Sequence, residues 1–99
     1  MARFDVYEVE GDPGLLLDCQ ADVLDRLDSR FVVPLVPRAM APPIFAGLNP
    51  IFDIKGQQCI MLTQSASAVP TRVLIRPILS LTQHQHVISN ALDMLLTGY

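Results

Sequence analysis

A chain of 99 residues has room for one hydrophobic core, so residues 1–99 are expected to form a single domain. Hydrophobic residues make up 51% of the sequence and charged residues only 17%, which excludes disorder and predicts exposed apolar surface of the kind that forms an oligomer interface. The net charge of −3 argues against a protein whose main partner is a nucleic-acid backbone.

The acidic residues are concentrated near the start of the chain. Residues 1–28 hold eight of the ten acids and only two basic residues, Arg3 and Arg26. Two interpretations are open: the acids lie on solvated strand faces and turns, or they form an acidic patch that meets a basic partner.

The first part of the chain is predicted to form β-strands. Residues 1–10 alternate as a strand does and end at the Gly- and Pro-containing turn 11–14. Residues 15–19 show no clean alternation, which suits a strand buried on both faces. Residues 30–36 are rich in β-branched side chains, and Pro34 within them predicts a bulge or an edge position.

The middle of the chain is predicted to contain a long loop and further strands. Residues 37–50 contain four prolines and several apolar side chains, which we expect to pack against the sheet or a partner. Residues 51–64 form a predicted hairpin that turns at Gly56, and residues 72–79 form a strand broken by Pro77. The sheet is therefore expected to be mostly antiparallel.

The end of the chain is predicted to be a helix. Its apolar residues and one histidine recur at spacings of three and four, at Leu81, His84, Ile88, Ala91, Leu92 and Leu95. Ser80 starts a predicted capping box in which its hydroxyl accepts from the Gln83 amide, and Gly98 is a natural stop.

No motif predicts a cofactor or metal site. None of the five glycines has the spacing of a nucleotide-binding loop. His84 and His86 point about 200° apart on a helix and cannot converge on one ion, so His84 is expected on the buried stripe and His86 in solvent. Cys19 and Cys59 stand among apolar residues and are expected to be buried free thiols.

Catalysis has little support in the sequence. Asp18, Asp22 and Asp25 with Arg30 offer the elements of an acid–base site, although carboxylates in turns are more often caps and salt-bridge partners. No nucleophile motif surrounds residues 63–67. The protein is therefore not expected to be an enzyme. The absence of an apolar leader or membrane-spanning run indicates a cytoplasmic protein without membrane attachment.

The C-terminal residues 94–99 are apolar, unlike the polar ends of most chains. They either complete the core or a dimer seam, or they form an apolar helix tip that another protein recognises.

Several fragments, in their order and spacing, resemble the CcdB family of bacterial toxins over nearly the whole chain. They are Phe4-Asp5-Val6-Tyr7, Leu17 through Asp25, Val32-Val33-Pro34-Leu35, Leu48-Asn49-Pro50, Met61-Leu62-Thr63, Ala68-Val69-Pro70 and Asn90 through Gly98. The resemblance implies an SH3-like antiparallel barrel of the CcdB/MazF type with a C-terminal helix, paired as a homodimer.

The resemblance also implies a function. Members of the family bind the DNA gyrase A subunit, trap the complex that contains cleaved DNA, and are neutralised by a small cognate antitoxin. They have no catalytic site, no cofactor and no direct contact with nucleic acid. Their role in toxin–antitoxin pairs includes plasmid maintenance.

Matching positions imply a gyrase-binding patch that consists of Val23, Leu24, Asp93, Leu96, Thr97, Gly98 and Tyr99. The end departs from the family pattern, which has an aromatic pair with Trp just before the glycine and a branched aliphatic residue after it. Here Leu96 and Thr97 replace the aromatic pair, and Tyr99 replaces the aliphatic residue. Loss of a buried aromatic anchor typically costs a few kcal/mol of binding.

Three functional hypotheses follow from the sequence. The first is a gyrase-directed toxin. The second is an endoribonuclease toxin on the same barrel, for which Arg30, Arg38, Arg72 and Arg76 would have to supply the cationic groups. The third is a homologue that has lost gyrase binding and only binds an antitoxin.

Overall fold

The computed structural model describes residues 1–98, and Tyr99 lies outside the described residues. The regular elements are β1 (Asp5–Glu8), β2 (Leu15–Asp18), β3 (Ser29–Pro37), β4 (Ile51–Ile54), β5 (Gln57–Met61), β6 (Ser67–Pro70), β7 (Pro77–Ser80) and α1 (Gln85–Thr97). The predicted class, mainly β with a C-terminal helix, is confirmed. In this part of the chain no helix is long and apolar enough to cross a membrane.

The strands form one antiparallel sheet with the order β4-β5-β3-β2-β1-β7, which curls into a half-barrel. The additional strand β6 pairs with the first half of β3. Strand β3 is therefore the centre of the fold, because β2 lies along one side while β6 and then β5 occupy the other.

Successive residues of a strand point to opposite faces of the sheet. Both faces of the central strands are buried, since neighbouring residues belong to two different clusters. Val6, Leu17 and Val33 lie in the main core, which also includes Ile88 and Leu92 of α1. The other face carries a smaller buried cluster of Tyr7, Val32 and Leu74. Residues 15–19 lack alternation for this reason, as the sequence predicted.

Pro34 lies in the central strand, so the predicted bulge or edge position is wrong. Its carbonyl accepts from the Leu62 N–H, and a strand residue directs its nitrogen and oxygen to the same side. On that side β5 ends with Met61 opposite Leu35, and β6 begins with Ser67 opposite Val32. The missing N–H of Pro34 therefore falls in the gap between two partner strands, where it costs no ladder hydrogen bond.

The β4–β5 hairpin is confirmed, and its turn residues Lys55 and Gly56 both have positive φ, at 53° and 86°. The strand predicted at 72–79 is wrong in its first half. Residues 71–73 form a 3-10 turn, residues 74–76 are irregular, and only Pro77–Ser80 pairs with β1. Strand β6 was not predicted, because its four residues are too few to show a period-2 pattern.

The C-terminal helix is confirmed, but it begins later than its predicted cap. The Ser80 hydroxyl accepts from the Thr82 N–H at 3.2 Å rather than from Gln83. A 3-10 turn then fills residues 82–84, and α1 starts at Gln85 without a side-chain cap. Gly98 ends the helix as predicted, with φ of 85° and its N–H on the Met94 carbonyl.

The loop between β3 and β4 exposes apolar side chains to solvent. Met40, Ile44 and Phe45 are exposed, so the expectation that they pack against the sheet is wrong for these side chains. The loop is fastened at its end by Asn49, which donates to the Met61 carbonyl at 3.0 Å and accepts from the Phe45 N–H at 3.0 Å. Packing of these side chains against a partner stays a prediction.

Candidate functional site

The first part of the implied patch lies on a 3-10 turn, Asp22–Leu24, that follows β2. Val23 is 85% exposed and Leu24 is 46% exposed. An apolar side chain that is almost fully solvated loses hydrophobic free energy in the isolated chain, and it regains that energy when a partner covers it. The turn therefore presents two apolar side chains suited to a protein contact.

Hydrogen bonds of Gln20 and Arg3 hold this turn on the sheet. The Gln20 side chain accepts from the Phe31 N–H at 2.9 Å and donates to the Leu24 carbonyl at 3.0 Å. The Arg3 N–H donates to the Asp22 carboxylate at 2.8 Å, and the Arg3 Nε donates to the Cys19 carbonyl at 3.2 Å. The turn is thus tied both to β3 and to the N-terminal segment.

An ion pair beneath the turn completes its support. Arg30 and Asp18 are both fully buried, with 2.9 Å between the Arg30 Nε and the Asp18 Oδ2 and 2.6 Å between the Arg30 Nη2 and the same oxygen. The second carboxylate oxygen of Asp18 accepts from the Gln20 N–H at 3.0 Å. Asp18 is therefore a salt-bridge partner, as one interpretation of the acidic residues predicted, and it also orients the residue that holds the turn.

The second part of the implied patch is the end of α1. Leu96 is 74% exposed, and Asp93, Thr97 and Gly98 are also exposed. The Thr97 hydroxyl donates to the Asp93 carbonyl at 2.7 Å, so it is satisfied within the helix. Tyr99, the last residue of the implied patch, lies outside the described residues.

The helix that carries this end is packed on the core of the protein. Ile88, Ala91 and Leu92 are buried in the main core. Gly47 of the β3–β4 loop has φ of 81°, and a Cβ at that position would lie 2.8 Å from the Met94 methyl carbon. Glycine is favoured there by its left-handed φ, which other residues rarely adopt, and its lack of a side chain leaves room for the Met94 methyl group. The rigid helix therefore presents Leu96 at a fixed position.

The two parts of the patch lie on different elements, the 22–24 turn and α1. Within residues 1–98, no hydrogen bond or ion pair joins the 22–24 turn to α1. The helix packs instead on the 3-10 turns at 63–65 and 82–84. A partner that contacts both parts must therefore span the turn and the helix end of one chain, or contact the turn of one copy and the helix end of another.

A family comparison decides which group of proteins this arrangement belongs to. The protein-family model described as CcdB protein matches residues 3–98. This chain belongs to the CcdB family. The curled half-barrel with its C-terminal helix is consistent with the CcdB fold, and the resemblance seen in the sequence is confirmed. As a CcdB protein it is the toxin of a toxin–antitoxin pair.

The cysteines and histidines are the side chains of this CcdB protein that could act as nucleophiles, bases or metal ligands. Burial raises the pKa of the Cys19 thiol to about 12, so the thiol stays protonated at neutral pH and is a poor nucleophile. Cys19 and Cys59 are buried and free, as predicted. His84 is half-buried with its ring 5.2 Å from that of Phe52, and His86 is exposed. Residues 1–98 contain no cluster of three metal-ligating side chains.

Sequence reasoning missed two features of this CcdB protein. Nothing in the sequence marked Gln20 as the residue that holds the 22–24 turn, because its role depends on contacts with two other segments. The burial of Arg30 was also missed. A signal was available, since Asp18 and Arg30 both stand in runs of apolar strand residues, where a charge needs an opposite partner.

Proposed function

We propose that this CcdB protein is a gyrase-directed toxin. It binds the DNA gyrase A subunit through Val23 and Leu24 on the 22–24 turn and through the helix end, where Asp93 and residues 96–99 make the contact. Binding traps the gyrase complex that contains cleaved DNA, and the cognate antitoxin reverses this effect. The protein acts in the cytoplasm by binding alone, without catalysis, cofactor or metal.

The observation that carries the proposal is the exposure of apolar side chains at the positions that the family motif assigns to gyrase. Val23 is 85% exposed and Leu96 is 74% exposed, although both belong to regular elements, the 3-10 turn and α1. Each lies on a supported element, because the Gln20 hydrogen bonds hold the turn and the core contacts of Ile88 and Leu92 hold the helix. Rigid apolar side chains of this kind lose little entropy on binding, which favours their use as anchors.

The ribonuclease hypothesis loses support from the position of Arg30. A side chain that stabilises a scissile phosphate must reach the solvent, and Arg30 is fully buried in its pair with Asp18. We therefore do not propose RNA cleavage. The hypothesis of a homologue that only binds antitoxin differs from the proposed function in one measurable respect, the effect on gyrase.

Supercoiling by purified gyrase tests the proposal. We expect the wild-type protein to inhibit supercoiling and to produce linear DNA, and we expect Val23→Lys and Leu96→Lys each to abolish both effects. A buried lysine charge in the complex would cost several kcal/mol, whereas neither substitution disturbs the free fold, because both positions are exposed.

The matched control is Met40→Lys. Met40 is 65% exposed and apolar, but it lies outside the proposed patch. Inhibition that is lost equally in Met40→Lys would indicate a general charge effect, and inhibition that survives in Val23→Lys and Leu96→Lys would contradict the proposed patch. No effect of the wild-type protein on gyrase would favour the homologue that binds only antitoxin.

We also propose that the protein acts as a homodimer. Apolar side chains outside the proposed gyrase-binding patch are also exposed, among them Ile44, Phe45 and Ile75, so a second apolar surface is left for another copy of the chain. At micromolar concentration, sedimentation equilibrium is expected to give about twice the chain mass of 10.9 kDa. A mass of one chain at that concentration would contradict the dimer and a two-fold-symmetric gyrase contact.

A further inference from the structure

Residues 2–5 form a tight turn that leads into β1, which we call the N-terminal hook. The Asp5 N–H donates to the Ala2 carbonyl at 3.1 Å, and the Ala2 N–H donates to the Asp5 carboxylate at 3.0 Å. Within the hook, Phe4 is buried in the main core and has φ of 73°, a conformation that a bulky residue rarely adopts. Such a backbone persists only where the surrounding structure holds it in place.

The contacts that hold Phe4 come from the two segments that lead to the two parts of the proposed gyrase-binding patch. The Phe4 N–H donates to the carbonyl of Asp18, at the end of β2 and before the 22–24 turn. The Phe4 carbonyl accepts from the Leu81 N–H at 2.9 Å. The Leu81 carbonyl in turn accepts from the His84 N–H at 2.9 Å, in the 3-10 turn that leads into α1. The hook thus bonds to the approach of both elements.

Arg3 extends the hook onto the 22–24 turn itself. Its N–H donates to the Asp22 carboxylate at 2.8 Å, and its Nε donates to the Cys19 carbonyl at 3.2 Å. Its guanidinium lies over the Phe4 ring, 4.5 Å from the ring centroid, and this cation–π contact orients the side chain. Hydrogen bonds to a carboxylate are stronger than those between neutral groups. Arg3 therefore ties the first residue of the turn to the hook.

The position of the turn relative to α1 matters for a partner that contacts both. Val23 and Leu96 lie on these two elements, and a partner pays less entropy to bind them when their relative position is already fixed. The turn keeps its Gln20 hydrogen bonds and α1 keeps its core contacts without the hook. The hook therefore affects how the two parts of the patch are placed, rather than whether each part forms.

We infer that Arg3 is a positioning residue for gyrase recognition, which acts through Asp22 and Phe4 to fix the 22–24 turn relative to α1. The inference rests on the proposed function for the identity of the partner. Neither Arg3 nor Asp22 belongs to the proposed gyrase-binding patch, and their effect is exerted in the free protein.

Surface plasmon resonance with the purified gyrase A subunit tests the inference. Arg3→Ala and Asp22→Ala are each expected to raise the Kd at least about fivefold, because the complex must then order a turn that the wild-type protein already holds. Arg3 is only half-buried and Asp22 is exposed, so the thermal midpoint of each variant should change by less than about 4 °C.

Three variants serve as comparisons. Arg26→Ala and Asp28→Ala remove the same charges from exposed side chains outside the hook, and both should bind gyrase as the wild type does. Asp22→Asn loses the charge but keeps a side-chain oxygen that accepts from the Arg3 N–H, so its Kd should stay within about twofold of the wild-type value. Equal weakening in Asp22→Asn and Asp22→Ala would mean that the charge acts on gyrase directly, and it would overturn the inference.

Amide hydrogen exchange of the free protein provides a readout that does not involve gyrase. The N–H groups of Leu24 and Asp25 close the turn, at 2.9 and 3.2 Å from their carbonyl acceptors. In both hook variants, Arg3→Ala and Asp22→Ala, these two amides should exchange at least about fivefold faster than in the wild type. The amide of Val33, which is buried in β3, should keep its wild-type rate, because the core is unchanged.

The two readouts together decide the result. Weaker gyrase binding without faster exchange would make Arg3 and Asp22 contact residues and would overturn the inference. Faster exchange with an unchanged Kd would also overturn it, since the hook would then serve only the turn. If the wild-type protein does not bind gyrase, the proposed function fails, and the exchange rates alone decide whether the hook fixes the turn.

Discussion

Replacement of Asp18 with alanine is expected to lower the free energy of unfolding by about 3–5 kcal/mol, the cost of breaking a buried ion pair by removal of one partner. Arg30 would keep its charge while fully buried, and within residues 1–98 its Nη1 atom has no hydrogen-bond partner. Total stabilities of small domains are about 5–15 kcal/mol, so the loss is a large share of what holds this fold.

Thermal and urea denaturation measure this effect. We expect the thermal midpoint of Asp18→Ala to fall by at least about 12 °C, given about 4–8 °C per kcal/mol for a domain of this size. Asp25→Ala is the matched control, because Asp25 is exposed and its loss should change stability by less than about 0.5 kcal/mol. The double variant Asp18→Leu/Arg30→Met should recover most of the loss, since it leaves no unpaired charge.

The same substitution is expected to affect the gyrase-binding patch. Asp18 accepts from the Gln20 N–H, and Gln20 in turn holds the carbonyl of Leu24. Loss of this support should loosen the turn that carries Val23, so gyrase inhibition by the folded fraction should weaken more than stability alone predicts. A stability loss below about 1 kcal/mol would show that Arg30 finds another partner and that the ion pair does not fix the turn.

Deletion of residues 97–99 is expected to abolish gyrase inhibition and leave the fold intact. Thr97 and Gly98 are exposed, and the core contacts of α1 come from the earlier residues Ile88, Ala91 and Leu92. Residues at the end of a chain rarely support a core. Supercoiling inhibition and the thermal midpoint of the truncated protein, compared with those of the wild type, separate a binding role from a structural role.

A fall in the thermal midpoint of more than about 10 °C, which corresponds to more than about 1 kcal/mol, would assign residues 97–99 to the fold instead. The complementary variant is Thr97→Trp, which restores the aromatic residue that the family carries before its glycine. It gives up the hydrogen bond from the Thr97 hydroxyl to the Asp93 carbonyl but adds an exposed aromatic anchor. We expect it to bind gyrase at least about tenfold more tightly. Unchanged affinity would indicate that another residue, such as Tyr99, is the anchor.

The sequence by itself determined the elements that depend on local patterns. The spacing of Ile88, Ala91 and Leu92 predicted α1, Gly98 predicted its end, and Gly56 predicted the β4–β5 turn, because each signal is contained in a few consecutive residues. The ordered fragments of the CcdB family added the fold class and the candidate patch. The exposure of Val23 and Leu96 supports the proposed patch.

Only the tertiary structure decided the features that join distant segments. Pro34 is tolerated in a central strand because two different strands meet opposite it, and Arg30 is buried because Asp18 lies on the neighbouring strand. Strand β1 has an open edge at Glu8 because β7 begins only at Pro77, opposite Tyr7, while β1 continues to Glu8. Each of these depends on which strands are neighbours, and a sequence pattern records the period of a strand but not the identity of its partner.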